Sequence, residues 1–339
     1  MYYDTYRGKR PCSGGRRRRR RSCLGWLLGA LLKLVALALV LVVLAAALLY
    51  VVPPSFLNIA PQDTELSITD GLPGSRVNIL LLGLDYLQEE SQRSDSMIIA
   101  SIGDGSVRLA SILRDTMVEI PGKEGLHKIN SAYSAGGAEM AMRVVNETFD
   151  LNITNYVAID LKTMVDLVDA VGGIEVEIEA EELEQLNKYA YNTYKKISTE
   201  NPEKYAHYLS STAITETGKL HLNGLFATSF SRIRKVGSDY ARTERQREVI
   251  GAVLEKIKAQ LTQPEMYVKL FNVYRESVMT NMSLPELISV AEKALLADGF
   301  ETSRFPTAQC LLDDGSSIQI TDAAGNVQAM HGFLYGKTE

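Results

Sequence analysis

The apolar positions of this chain fall into two regimes. From Leu34 to Val52 they form one uninterrupted run, "LVALALVLVVLAAALLYVV", and beyond residue 76 they recur as short apolar segments between amphipathic ones. Nineteen residues at 1.5 Å each are long enough to cross the hydrocarbon of a bilayer, so this run, extended by "LGWLLGALL" across the single Lys33, predicts a membrane helix. It is longer than the apolar core of a cleavable signal peptide, which favours an uncleaved anchor.

Past "PPSFLNIAPQDTELSITDGLPGSR" (53–76), which reads as a stalk with at most one short strand, "VNILLLGL" (77–84) has the length of a buried strand. The segments "SMIIASI" (96–102) and "SVRLASIL" (106–113) flank the tight-turn sequence Gly103-Asp104-Gly105 and predict a hairpin. An up-down-up meander of these three strands brings Asp85, Arg93, Asp95, Arg114 and Asp115 to one sheet edge. Farther on, "INSAYSAGGAEMAMRVVNETF" predicts a helix, "NYVAID" a strand, "LKTMVDLVDAV" a helix and "GGIEVEI" a strand, the alternation of a sheet covered by helices. Residues 180–218 read as helices and loops. In "TERQREVIGAVLEKIKAQL" (243–261) the stripe Val249, Ile250, Val253, Leu254, Ile257, Leu261 predicts a helix, with Thr243 and Gln246 matching a capping box and Arg242 just outside the helix N-terminus.

Charge changes the picture at both ends of the membrane run. The first 22 residues carry nine basic side chains against one acid, Asp4, and no comparable cluster follows the apolar run. The basic side stays cytoplasmic, placing residues 53–339 outside. That outer part has 26 basic and 40 acidic residues, and its only cysteine is Cys310, so no disulfide forms within it. Against this acidity, "SRIRKVGSDYARTERQR" (231–247) holds five arginines and a lysine. The plain reading is a solvated face, but arginine's planar fork binds phosphate oxygens two at a time, and a helix N-terminus adds free N–H groups. A multiply charged phosphate is the guest this predicts, ahead of nucleic acid, since the cluster lies outside the membrane with few aromatics interleaved.

Asp85 and Asp95 alone would be ordinary turn acids. Beside arginines at one edge, they are what Mg²⁺ needs to bridge protein and phosphate. The chain lacks a P-loop, a complete dinucleotide fingerprint, a GxSxG elbow and any HExxH pair among its four histidines, which argues against those enzyme classes.

"NILLLGLD", "RSDSMIIASI", "SILRDTMVEIPG", "KINSAYSAGG", "YVAIDL", "VDAVGGIEVEI" and "LNGLFATSFSRIRKVGSDYARTERQREVI" together resemble the LytR-CpsA-Psr family, in order and spacing, over roughly residues 77–260. "FATSFSR" departs from the expected pattern but leaves the arginines undisturbed, and the region after about residue 262 resembles the family only loosely. The resemblance implies an α/β fold, an α/β/α sandwich with a central mixed β-sheet, preceded by one N-terminal transmembrane helix. The expected divisions are a cytoplasmic tail (1–22), the helix (23–52), an extracellular linker (53–75) and a catalytic domain (76–335).

It further implies a transferase that moves a glycopolymer phosphate, of teichoic acid or capsular polysaccharide, from an undecaprenyl-pyrophosphate carrier to peptidoglycan on the outer face of a Gram-positive membrane. By position, Asp85 and Asp95 match the family's Mg²⁺ site. Arg93, Arg114, Arg232, Arg234, Arg242 and Gln246 match the group around the pyrophosphate, Arg114 counting also as catalytic. Asp239 falls on a further family position, and either Asp85 or Asp239 would deprotonate the acceptor. The alternative is a non-catalytic envelope sensor that binds the same lipid. Metal dependence separates the two, because unneutralised carboxylates would repel a pyrophosphate.

Overall fold

The computed structural model describes residues 65–84, 93–210, 213–234 and 239–336, all within the second of the two units into which the chain divides, Pro54–Glu339. The expected basic tail, the membrane run and Asp85 lie outside the described residues. Among those described, no helix is long and apolar enough to cross a membrane, and residues 65–75 hold turns rather than a strand.

The predicted meander is present. Strand β2 (Ser94–Gly103) runs antiparallel to both β1 (Arg76–Leu84) and β3 (Ser106–Ile112). A short ribbon, β4 (Met117–Glu119) with β5 (Leu126–Lys128), leads into helix α1 (Ser131–Phe149), which is interrupted at Gly136 and Gly137. Gly137 has φ of 68°, a conformation that favours glycine. Next come β6 (Asn155–Asp160) and α2 (Leu161–Ala170), the latter capped by Asp160, whose carboxylate accepts from Thr163 N–H.

Strand β7 (Ile174–Ile178) corrects the expectation of one sheet. It leaves the main sheet and pairs with β8 (Gly218–Leu222), a strand not foreseen, after α3 (Ala180–Glu200). Its strict burial alternation, with Glu175 and Glu177 outward, is that of a ribbon with one wet face, whereas strands covered on both faces read as continuous apolar runs. The short helix α4 (Gly224–Phe230) precedes the basic segment and α5 (Asp239–Ala259) follows it. Then come α6 (Pro264–Ser277), β9 (Met279–Thr280), α7 (Leu284–Leu296), β10 (Gly299–Phe305), a ribbon of β11 (Leu311–Asp313) and β12 (Ile318–Ile320), and α8 (Ala323–Tyr335).

The main sheet has the order β10-β3-β2-β1-β6-β9 and is mixed, with β10/β3 and β1/β6 parallel. Strand alternation divides its side chains between two layers. Leu80, Leu82, Met97, Ile99 and Ile112 pack with α1 and α8 on one face. Ile79, Ile98, Ala100 and Leu109 pack with α5 and α7 on the other, completing an α/β/α sandwich. A third core, built from α2, α3, α4 and the β7/β8 ribbon, meets the second along α5. There Ile250 and Leu254 face the sheet while Val249 and Val253 face the third core.

Candidate functional site

A cavity of about 690 Å³ opens where these two cores meet. Helix α5 supplies a stripe along it, Arg242, Gln246, Val249, Ile250 and Val253, polar at the helix start and apolar beyond. The eleven steps from Arg242 to Val253 span about 16 Å at helical rise. The sheet repeats the gradient. Asp95 and Ser96, at the start of β2, lie beside the C-terminal end of β1, and farther in stand Leu81, Ile98 and Val157, which share one row because Leu81 pairs with both others. Helix α2 closes the apolar part with Leu161, Met164 and Leu167. The cavity therefore fits a molecule with an anionic head and a long hydrocarbon tail.

Asp95 organises the polar end. In the β1/β2 register, Gly83 pairs with Ser96 and Leu84 with Ser94, so Asp95 is the extra residue of a β-bulge. Bulges swing a side chain out of the sheet's alternation and are common beside active sites. Arg114 Nη1 donates to Asp95 Oδ1 and Arg234 Nη2 to Asp95 Oδ2, each at 3.0 Å. The meander does place Asp95, Arg114 and Asp115 at one edge, with Arg114 Nε also 3.4 Å from Asp115.

The remaining positions are distributed as follows. Arg232 and Arg234 both line the cavity while Ile233 between them is buried, yet the segment starts as a turn and not as the extended run expected, with Arg232 N–H bonding Ser229 O and Ile233 N–H bonding Phe230 O. Arg232 Nη1 donates to the buried Thr193 hydroxyl at 3.1 Å. Gln246 Oε1 accepts from Ser96 Oγ at 3.0 Å, and Arg242 is buried in the cavity wall. Arg93 is exposed two residues before Asp95 and is not among the lining residues. Asp239 is the first residue of α5.

Helix α5 begins four residues earlier than the capping pattern predicted. Arg242 is inside its first turn, and Thr243 donates its hydroxyl to Tyr240 O instead of capping the helix. The basic segment is also less uniform than its composition. Arg245 Nε donates to Glu182 at 2.6 Å and Nη1 to the Ile233 carbonyl, and Arg247 Nη1 donates to Ser111 Oγ, all buried. Two of the five arginines thus hold the fold and do not line this cavity.

Sequence reading missed the groups that hold the site rigid. Asn130, 4% exposed, accepts from Ser94 N–H at 3.2 Å through its carbonyl and donates its N–H to Arg114 O at 3.3 Å. Its backbone ties together the segments carrying Asp95 and Arg114. Such pairing leaves no signal in spacing.

The donor set fits a hard cation shared with phosphate. Each Asp95 oxygen takes one guanidinium bond and keeps a second acceptor position, and such cations are commonly held by one or two carboxylates plus phosphate oxygens. Among the described residues, no group of three or more His, Cys, Asp or Glu side chains gathers.

The LytR_cpsA_psr family model matches residues 59–331. A polyisoprenyl-teichoic acid–peptidoglycan teichoic acid transferase TagU of Enterococcus faecalis is 31% identical over 252 residues, 72% of this chain and 74% of that protein. Biofilm regulatory protein A of Streptococcus mutans is 33% identical over 235 residues, 63% of this chain and 53% of that protein. Among solved structures, the LytR-CPS2A-psr family protein YwtF (TagT) with bound octaprenyl pyrophosphate lipid aligns with a TM-score of 0.58 at 19% identity, covering 82% of this chain and 97% of that one. Protein gbs0355 from Streptococcus agalactiae aligns at 0.59 and 27%, covering 77% and 86%.

Proposed function

This chain belongs to the LytR-CpsA-Psr family, and from that premise we propose that it transfers a glycopolymer phosphate from an undecaprenyl-pyrophosphate carrier to peptidoglycan. The observation that carries the reading is the polar-to-apolar cavity, with Asp95, Arg232, Arg234 and Arg242 at one end and Leu81, Ile98, Val157 and Ile250 at the other. The names of the Enterococcus transferase and of the lipid-bound neighbour point the same way.

In this reading an acceptor hydroxyl oxygen attacks the glycan-bearing phosphorus. The bond from that phosphorus to the bridging oxygen breaks, and the lipid monophosphate leaves with the electron pair. Arg114, Arg232, Arg234 and Arg242 stabilise the charge gathering on the leaving phosphate, as preorganised donors do where charge develops. Gln246, fixed by Ser96, orients a head-group oxygen. The acceptor's proton goes to an aspartate, Asp85 or Asp239, and Arg93 approaches the head group from outside the cavity. Mg²⁺ held by Asp95 and Asp85 supplies neutralisation of the pyrophosphate when bound. The apolar run at 34–52 anchors the chain in the membrane as a single pass, with the basic tail in the cytoplasm and the catalytic domain outside.

The test is turnover of a synthetic polyprenyl-pyrophosphate glycan by the full chain in detergent, with peptidoglycan fragments as acceptor and with or without Mg²⁺. Metal-dependent transfer supports the reading. Tight lipid binding without transfer under any metal moves it to the sensor alternative, to which the name of the Streptococcus mutans relative is suited.

A further inference from the structure

Helix α5 lines a second space on another face. Glu244, Arg247, Glu248, Gly251 and Glu255 face an open cleft of about 540 Å³, bounded across from them by Phe300 and Thr302 of β10. A Cβ at Gly251 would stand 3.2 Å from the Phe300 ring, so the missing side chain keeps the floor of this cleft clear.

Arg247 lies at that floor, 6% exposed. Its Nη1 bonds the Ser111 hydroxyl at 2.8 Å, its Nε has no acceptor, and no ion pair joins it to a described carboxylate. Ser111 alternates with Val107 and Leu109, which puts it on the α5 side of the sheet, and its register partner on β10 is Arg304. The second guanidinium has its answer. Arg304 Nη1 is 3.7 Å from Glu244, and its guanidinium covers the Tyr240 ring at 4.2 Å.

Burying a charge with one neutral hydrogen bond is costly, and the cost is relieved by an anion. Desolvation pulls the pKa of Arg247 below its ordinary value, with Glu244 opposing and Arg304 adding to the fall. A multiply charged guest would meet Glu244, Glu248 and Glu255 at the rim. A single carboxylate next to a cation would satisfy both floor and rim.

We propose that this cleft is a binding site for a peptide segment that presents a carboxylate to Arg247 and an ammonium group to the glutamates of α5. Ser111 precedes Arg114 by three residues, about 10 Å of strand, so a peptide held here sits within reach of the head-group end of the cavity. On the transferase reading it would belong to the peptide-bearing wall acceptor. That assignment rests on the reading, whereas the site itself does not.

The experiment is calorimetric titration of the full chain in detergent with the tripeptide Ala-Lys-Ala, its C-terminal amide, its fully acetylated form and inorganic phosphate. The free tripeptide is expected to bind saturably, and the amide and the acetylated form to bind at least about tenfold more weakly, the scale of losing a hydrogen bond to a charged group. Thr302→Trp, which fills the cleft from an exposed strand position, is expected to cause a similar loss while leaving polyprenyl-pyrophosphate binding unchanged. Arg247→Gln should do the same, and Thr302→Trp decides the matter if that buried substitution does not fold. Equal binding of peptide and amide, undiminished binding in Thr302→Trp, or phosphate competing as well as the peptide would overturn the proposal. Peptide binding that persists in a protein unable to transfer glycan would sink the transferase reading and leave this site standing.

Discussion

Arg234 Nη2 and Asp95 Oδ2 stand 3.0 Å apart although 139 residues separate them in the chain. With Arg114 on the other oxygen, the bulged aspartate serves as counterion to two arginines that the proposed mechanism gives to a pyrophosphate. Carboxylate and pyrophosphate therefore compete for the same donors unless a cation joins them. Asp95→Asn removes the competing charge and a ligand for the cation together. Its affinity for a polyprenyl pyrophosphate without Mg²⁺ is expected to rise several-fold, while transfer falls by about 100-fold or more, the scale of losing one electrostatic element of an active site. Undiminished transfer would remove Asp95 from the mechanism.

The tail end of the cavity makes a separable prediction. Ile98→Trp enlarges a side chain in the Leu81–Ile98–Val157 row, and an overfilled site typically costs about 1–3 kcal/mol. Here the cavity takes up part of the added volume. A lipid pyrophosphate with a long polyprenyl chain should bind at least about tenfold more weakly, whereas an analogue with a single prenyl unit should bind as before, because the head-group donors do not move. Equal losses for both analogues would mean that the tail lies elsewhere.

The central strands were legible because strands covered on both faces leave continuous apolar runs. The sheet edge carrying Asp95, Arg114 and Asp115 followed from the hairpin turn at Gly103–Gly105. What escaped were features set by tertiary pairing. Strand β7 keeps a strand's alternation whichever sheet it joins, so "GGIEVEI" could not disclose its partner β8. The bulge at Asp95 is a property of register between two chain segments. Composition also overstated the phosphate cradle, since nothing in "RTERQR" distinguishes Arg242, in the cavity wall, from Arg245, bound to Glu182, and Arg247, bound to Ser111 below the second cleft.

That distinction is testable at Arg245. Glu182 accepts from Arg245 with one carboxylate oxygen and from Glu179 N–H with the other, so one side chain both caps α3 and fastens α5 to it. The pair is nearly inaccessible, with 8% and 7% side-chain exposure. Arg245→Met leaves a buried carboxylate without its cation and is expected to destabilise the domain by about 3–5 kcal/mol. Replacing both partners, Arg245→Met with Glu182→Leu, should recover part of that loss. Because Arg245 also holds the Ile233 carbonyl between Arg232 and Arg234, the folded single variant should show a raised KM for the lipid. Thermal melts and steady-state kinetics on the same preparations check both effects.

The last prediction concerns acid stability. Asp166 on α2 accepts from the Tyr205 hydroxyl and from Lys204 Nζ, yet desolvation outweighs both and raises its pKa above the ordinary 3.8. A carboxyl group with a raised folded pKa binds more protons in the folded state than in the unfolded one, so its ionisation works against folding. Stability from this group grows as pH falls through the folded pKa toward 3.8. Glu139 and Glu248, also raised chiefly by burial, act in the same direction. Tyr205 is pushed up by burial and by the Asp166 charge, so it remains a neutral donor throughout. Asp166→Asn keeps an acceptor for Tyr205 without the buried charge. Relative to the parent it should be most favoured at neutral pH, with the advantage shrinking as pH falls through the folded pKa of Asp166. Urea unfolding from pH 7 to pH 4 reads this difference directly. A penalty for Asp166→Asn that is largest at neutral pH and shrinks as pH falls would show that the Lys204 ion pair, and not desolvation, governs Asp166.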